Sequence, residues 1–494
     1  MAAKKKKSTR SSTRTRTATK SRRRGPARRQ AGGQVVVVNM IPRSLSRETN
    51  QDSEPSLTVN PANPLEIVGT AFTPDPMGGA LAPIYLSSDG GATWRLSSIV
   101  PSQSGSSTGT SDISLAFGST GGRLYGGILR DPSTDLETLR VTTAASPTPM
   151  ETLASRPDND QPFTHAISKA GRDRVYIGNN DFQAGARTAT IDVSANGRSV
   201  HPAFKSIRIE TRPTVGQDGP QIRPVAHPDG TVYATYYGWR AQSGSFPGNT
   251  LVVTTDVVVV RDDTAGTGAN PFRNLVDPSD NLPGRLVARN IRIPFNRNGS
   301  SATGQQRLGG TLSLAVDRRA NQSGTVYLAW ADQQPQSMLT VHVRRSTDRG
   351  VTWSAADLFT AANATNAALA INNAGTIGLL YQQLAGTGAN RRWVTHFRQT
   401  SNGTNWDDLV LSTAPASVPA KTFDPYLGDY DHLVAVAKDF YGIFSASNIP
   451  DPANFPNGIV YQRNADFATH TLFALDNTTP VSPSIDPFFF KVKG

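Results

Sequence analysis

The stretch FDPYLGDYD at 423–431 sets Asp424, Asp429 and Asp431 beside Tyr426 and Tyr430, a density of groups suited to holding or moving protons. Paired carboxylates of this kind can act as acid and base on a glycosidic bond, or can simply hydrogen-bond the hydroxyls of a bound sugar. Shorter polar stretches of similar make-up occur throughout the chain: DSEP (52–55), SD (111–112), DNDQPF (158–163), QDGPQIR (217–223) and QQR (305–307). The candidates for chemistry are therefore Asp424, Asp429, Tyr426, Tyr430, Asp160 and Asp218, and those for holding a ligand are Glu54, Gln161, Gln221, Arg223 and Arg307. Asp, Asn, Gly and Pro also make good turns. What separates a site from a set of turns is whether these segments converge.

The available chemistry is narrow. The chain has no cysteine, which excludes disulfides, thiolate nucleophiles and sulfur-ligated metals. Its seven histidines, at 165, 201, 227, 342, 396, 432 and 470, have no metal-like spacing. No cofactor is expected. Of the metal ions, calcium would best suit the oxygen-rich segments, although no EF-hand spacing occurs.

The polar segments owe their placement to a repeat. Seven β-rich runs recur every 50 to 60 residues or so: LEIVGTAF (65–72), RLYGGIL (123–129), RVYIGNN (174–180), TVYATYYGW (231–239), TVYLAWADQ (325–333), TIGLLYQQ (376–383) and FYGIFSA (440–446). Most follow a shorter apolar run, such as PSLTV (55–59), ISLAF (113–117), LSLAV (312–316), AALAI (367–371) or HLVAV (432–436). Short strands at such a period, without helical periodicity, predict an all-β propeller of seven blades, each of four antiparallel strands, over residues 34–494. The polar segments lead into the innermost strands, so they should emerge beside the axis. The wide interval between Tyr233 and Tyr327 reads as an insertion rather than an eighth blade, with 262–300 partly projecting as a loop and 262–285 rich in Asp, Gly, Asn and Pro.

A turn is written three times, as SSDGGATW (87–94), STDRGVTW (346–353) and, more loosely, TSNGTNW (400–406). In the first two, Ser and Asp side chains can bond the amides of a tight turn, glycine supplies a positive φ, and tryptophan folds back beneath. Ser87, Asp89, Gly91, Thr93 and Trp94, and Ser346, Asp348, Gly350, Thr352 and Trp353, resemble the Asp-box (BNR repeat) of sialidase-like propellers; the third copy keeps Ser401, Gly403 and Trp406 but has Asn402 for Asp. An active sialidase would imply three clamping arginines, met in part by Arg223 and Arg307, an Asp acid, and a Tyr nucleophile such as Tyr426 or Tyr430 activated by Glu. The chain departs from that pattern, because its six glutamates all lie at or before Glu210. The resemblance implies a propeller that recognises a glycan or other polar ligand in its axial funnel. Two alternatives stand beside it: a glycoside hydrolase, exo-sialidase-like or using two carboxylates, and a non-catalytic propeller for protein interaction or structure.

Charge sets the first residues apart. Of 50 Lys and Arg, 13 fall within residues 1–30, which contain no acid, leaving 37 against 38 acids in the remainder. Residues 1–33 lack Leu, Ile and Phe and read as a disordered arm, in which Lys4, Lys5, Lys6, Lys7, Arg22, Arg23, Arg24, Arg28 and Arg29 can neutralise a polyanion, either nucleic acid or an anionic surface. No apolar run approaches the ~18–20 residues that span a bilayer, and VVVVNMI (35–41) reads as a strand rather than the core of a signal peptide. Nothing in the sequence fixes the compartment. Deleting residues 1–33 should leave folding intact and abolish retention on heparin or DNA at low salt, while full-length retention falls steeply as salt rises. Equal retention of both proteins would place the polyanion site elsewhere.

Overall fold

The computed structural model describes Met1 and residues 35–73, 81–101, 111–129, 136–141, 148–296, 306–334, 339–419 and 427–494. Each long β-rich run forms the second strand of a sheet, and the apolar segment before it forms the first. The first strands are Ser56–Val59, Ile113–Phe117, Asn159–Lys169, Arg223–Ala226, Leu312–Val316, Ala364–Ile371 and His432–Val436. They neighbour one another in that order, and the last neighbours the first, so seven blades close a ring. Six blades have four antiparallel strands. The seventh is composite: its third strand is Ile485–Val492, its fourth is Val37–Asn39, with Val38 opposite Phe489, and Ile459–Tyr461 adds a fifth in parallel. Between its second and third strands lies a small unexpected sheet of Ala465–Asp466, Thr471–Phe473 and Pro480–Val481.

The apolar content of the strands follows from this stacking, because a blade is covered on both faces by its neighbours. Tyr236 and Val258 of the fourth blade meet Ile167 and Ile191 of the third in one core, whereas Tyr237 and Val257 meet Leu328 and Trp330 of the fifth in another. Alternation along a strand thus feeds two cores rather than one core and solvent.

Innermost strands have one edge without a strand partner, and buried amides left unpaired there would be costly. Polar side chains of the preceding blade accept from them. Leu115 and Phe117 N–H donate to Ser56 Oγ and Thr58 Oγ1 (3.2 and 3.0 Å), Thr164 N–H to Ser114 Oγ (2.8 Å), and Leu369 N–H to Ser313 Oγ (2.8 Å). At the closure, Leu57 N–H donates to His432 Nδ1 (3.0 Å).

The described part of the insertion, 262–296, does not project as a loop. Arg285–Pro294 forms a strand paired with Val252–Asp262. The connection folds back on the blade because Asp262 accepts from the amides of Thr264, Gly266 and Phe272, and because Phe272 and Leu275 are buried.

The repeated turns join third and fourth strands. In each of the first two, the serine hydroxyl donates to the aspartate (2.8 Å) and accepts from a glycine amide, the aspartate accepts from the threonine amide and hydroxyl, and the indole N–H donates to the glycine carbonyl. The third turn corrects the sequence register. Thr400, not Ser401, takes the serine's place, accepting from Gly403 N–H (3.0 Å) and donating to Asn402. Trp94 is buried against Phe489, with ring centroids 5.3 Å apart, whereas Trp353 is only half-buried. Trp94→Ala should therefore cost about 3–5 kcal/mol and Trp353→Ala less, in proportion to burial. Equal losses in thermal melting would show that indole burial does not decide what these turns contribute.

Candidate ligand site at the propeller axis

The lead-ins to the innermost strands do converge. Arg307, before the fifth blade's first strand, reaches Asp429 with both Nε (3.1 Å to Oδ1) and Nη2, and reaches Glu54 Oε1 at 3.4 Å. Asp429 N–H donates to the same Glu54 oxygen (3.3 Å), Gln161 Nε2 to Asp429 Oδ2 (3.0 Å), and Gln221 Nε2 to the Asp429 carbonyl (2.8 Å). Residues up to 375 positions apart thus share one hydrogen-bonded cluster. Backbone geometry aims them: Glu54 and Gln161 hold φ of 56° and 50°, and a bulge between Asp160 and Phe163 turns the strand's start toward the axis. Gly428, at φ 90°, lets the 427–431 segment run so close to Glu54 that a Cβ would strike its backbone.

Beside this pair lies a second one. Tyr430 Oη donates to Asp112 Oδ1 (3.1 Å), and Asp112 in turn shares a hydrogen bond with Glu54. Burial, reinforced by Asp429 and Asp112, holds the Glu54 carboxyl well above its ordinary range. Burial likewise raises Asp112. Burial and the adjoining carboxylates raise the Tyr430 hydroxyl well above its usual value, the reverse of what an activated tyrosine nucleophile needs. Arg223 stacks over Phe163, 3.4 Å from its ring centroid, and donates to Gln221 (3.2 Å); burial brings its guanidinium down to about 9. Asp160 is half-buried, and burial together with the Asp112 charge pushes it up to about 7.

Glu54, Asp160, Gln161, Gln221, Arg223, Arg307, Asp429 and Tyr430 therefore gather at the axis. Asp218 does not: its carboxylate faces the Ala189 amide in the blade behind, near Glu210 and Arg240. Asp424 and Tyr426 lie outside the described residues. Sequence reasoning missed Asn366, which is held at φ 55° and bonds Gln382 (2.9 Å), and it undervalued Gln306, whose amide bridges Asn366 and the Gly428 carbonyl. Asn366 lies immediately before AALAI, a position that could have flagged it.

The arrangement bears directly on catalysis. Retaining and inverting glycosidases keep their two carboxyls about 5–5.5 or 6.5–9.5 Å apart, leaving room for the reacting carbon. Glu54 and Asp112 are in mutual hydrogen-bond contact, and Asp429, with a fully buried side chain, is tied to Arg307. Arg307 and Arg223 are likewise committed to protein partners rather than to a carboxylate clamp. Groups that remain partly open at the axis are Asp160, Arg223 and Arg307, the last with 20% of its side chain exposed.

No family model and no curated protein matches the chain. Among solved structures, it is similar to an α-L-arabinofuranosidase from Fusarium graminearum in complex with an iminosugar inhibitor (10% identity, 93% of this chain and 98% of that one, TM-score 0.43). It is also similar to a Hadza microbial sialidase (12%, 81% and 73%, 0.40) and to the Dos1 propeller (11%, 83% and 92%, 0.39). Identities this low transfer no site residue to this chain.

Asp218 offers a pH test away from the axis. Burial, with the Glu210 charge, raises its carboxyl to about 8 from an ordinary 3.8. The folded state then binds a proton that the unfolded state releases, so this group lowers stability as pH rises from about 4 to about 8. Asp218→Asn should flatten the fall in melting temperature over that range. A slope equal to that of the unaltered protein would contradict the assignment.

Proposed function

We propose that this protein is a recognition propeller whose axial mouth binds a glycan or a similarly polyhydroxylated ligand. The observation that carries the reading is the gathering of lead-in residues from all seven blades into one cluster, with Asp160, Arg223 and Arg307 at its open side. Hydroxyl groups of a sugar suit such a set, since a carboxyl accepts from them and a guanidinium donates to them in fixed directions. The buried network beneath acts as a preorganised support, because each exposed group is already oriented before ligand arrives. In this reading the three repeated turns are Asp-boxes serving the scaffold, and the arm of residues 1–33 tethers the propeller to a polyanion.

Hydrolysis is the second reading, favoured by one feature: a half-buried carboxyl near 7 at Asp160 is suited to act as general acid at neutral pH. A glycan array followed by calorimetry with the best ligand, and a reducing-sugar assay on the same ligand, separates the two. Binding alone predicts that Arg307→Ala and Asp160→Asn each weaken affinity at least about tenfold, with no sugar released by any form. Release by the unaltered protein that drops about 10²–10⁴-fold in Asp160→Asn would establish the enzyme instead. Folded variants with unchanged affinity would remove the axial site altogether.

A further inference from the structure

A second acidic cluster lies where the ring is fastened. Glu48 and Asp52 belong to the segment between Val37–Asn39 and the first blade, and Asp486 belongs to the strand Ile485–Val492. All three are buried, and one carboxylate oxygen of each lies within 4.8 Å of the others. Asp52 comes from the DSEP lead-in, but it points away from the cluster that Glu54 serves.

Charge and hydrogen bonding are both incomplete there. Among the described residues, Arg463 is the cation in contact, 2.9 Å from Asp486 and 3.9 Å from Glu48, so three carboxylates face one guanidinium. Asp486 is amply supplied, accepting from Asn39, Asn448, Ser484 and Arg463. Asp52 is wholly buried, yet among the described residues no donor outside the cluster reaches either of its carboxylate oxygens or Glu48 Oε2, and the hydrogen bond there is the one Asp52 and Glu48 share with each other. Buried acceptors are rarely left bare. Three carboxylates against one guanidinium, with three oxygens that no outside donor reaches beside one firmly oriented carboxylate, are what a divalent cation would complete.

We propose that Glu48, Asp52 and Asp486 bind a calcium ion that fastens the seventh blade to the first. An oxygen-only donor set without histidine or cysteine suits a hard cation. Carboxylates held by an irregular loop and a strand suit calcium, which tolerates uneven coordination, better than magnesium, which demands near-ideal octahedral geometry. The ion would tie the 43–52 segment directly to the C-terminal strand. The competing account is that Glu48 and Asp52 share protons in place of a metal.

Full-length protein purified from calcium-containing medium and passed through a desalting column gives the first measurement, elemental analysis. About one calcium per chain is expected, and less than about a tenth in Asp52→Asn, which keeps the side-chain shape but removes its charge. Melting in excess EDTA should come roughly 3–8 °C lower than in millimolar calcium, magnesium should not restore the difference, and Asp52→Asn should ignore all three additions. Should Asp52→Asn fail to fold, the metal content and EDTA response of the unaltered chain decide the matter. Metal-free protein that melts identically in EDTA and calcium would overturn the proposal, as would undiminished calcium in Asp52→Asn.

Discussion

Everything in this molecule depends on the innermost strands having a bare edge. A blade hydrogen-bonds outward, strand to strand, and its first strand has nothing beyond it but the axis. The chain meets this with side chains from the preceding blade: Ser56, Thr58, Ser114 and Ser313 accept from the amides of Leu115, Phe117, Thr164 and Leu369. These bonds are short-range and directional, so they set the angle between neighbouring blades as well as satisfying backbone groups. Large apolar residues then fill the wedge between blades, and the ring follows from the angle repeated.

The axis inherits its character from the same geometry. Lead-in segments must turn from the outer rim of one blade to the inner edge of the next, which brings seven polar loops into a small space. Their charges cannot all be hydrated, so they satisfy one another: Asp429 by Arg307 and Gln161, Asp112 by Tyr430 and Glu54. Left-handed backbone at Glu54, Gln161 and Asn366 is the conformational cost of that mutual fit. Asp429 and Glu54, which looked available for chemistry in the sequence, are consumed in this way. Asp160 is left at the margin.

Much of the blade pattern was readable because it is local. A strand, a turn and a second strand occupy about twenty residues, and the spacing of LSLAV and TVYLAWADQ already places both strands of a hairpin. Features that depend on distant partners were not readable. VVVVNMI looked like a strand, but nothing in it names the C-terminal Phe488–Phe490 run as its neighbour. Asp218 sits in a polar lead-in like the others, and only the approach of Ala189 turns its carboxylate into the blade. The third turn was misread by one residue because threonine can replace serine as the hydroxyl, a substitution that composition hides. The connection at 263–284 looked free for its polarity, while two apolar residues in it, Phe272 and Leu275, fix it to the core.

The composite seventh blade has a consequence for how the protein comes into being. Asn39 and its partner Asp486 are 447 residues apart. At translation rates of roughly 5–20 residues per second, the strand made first waits some 20–90 s for the one it must lie beside. Six blades can assemble on the ribosome during that interval, but the ring stays open, with both faces of the gap and the bare edge of Ser56–Val59 uncovered. The gap between the first and seventh blades therefore stays exposed until Ile485–Val492 has been made, however early the other six blades fold.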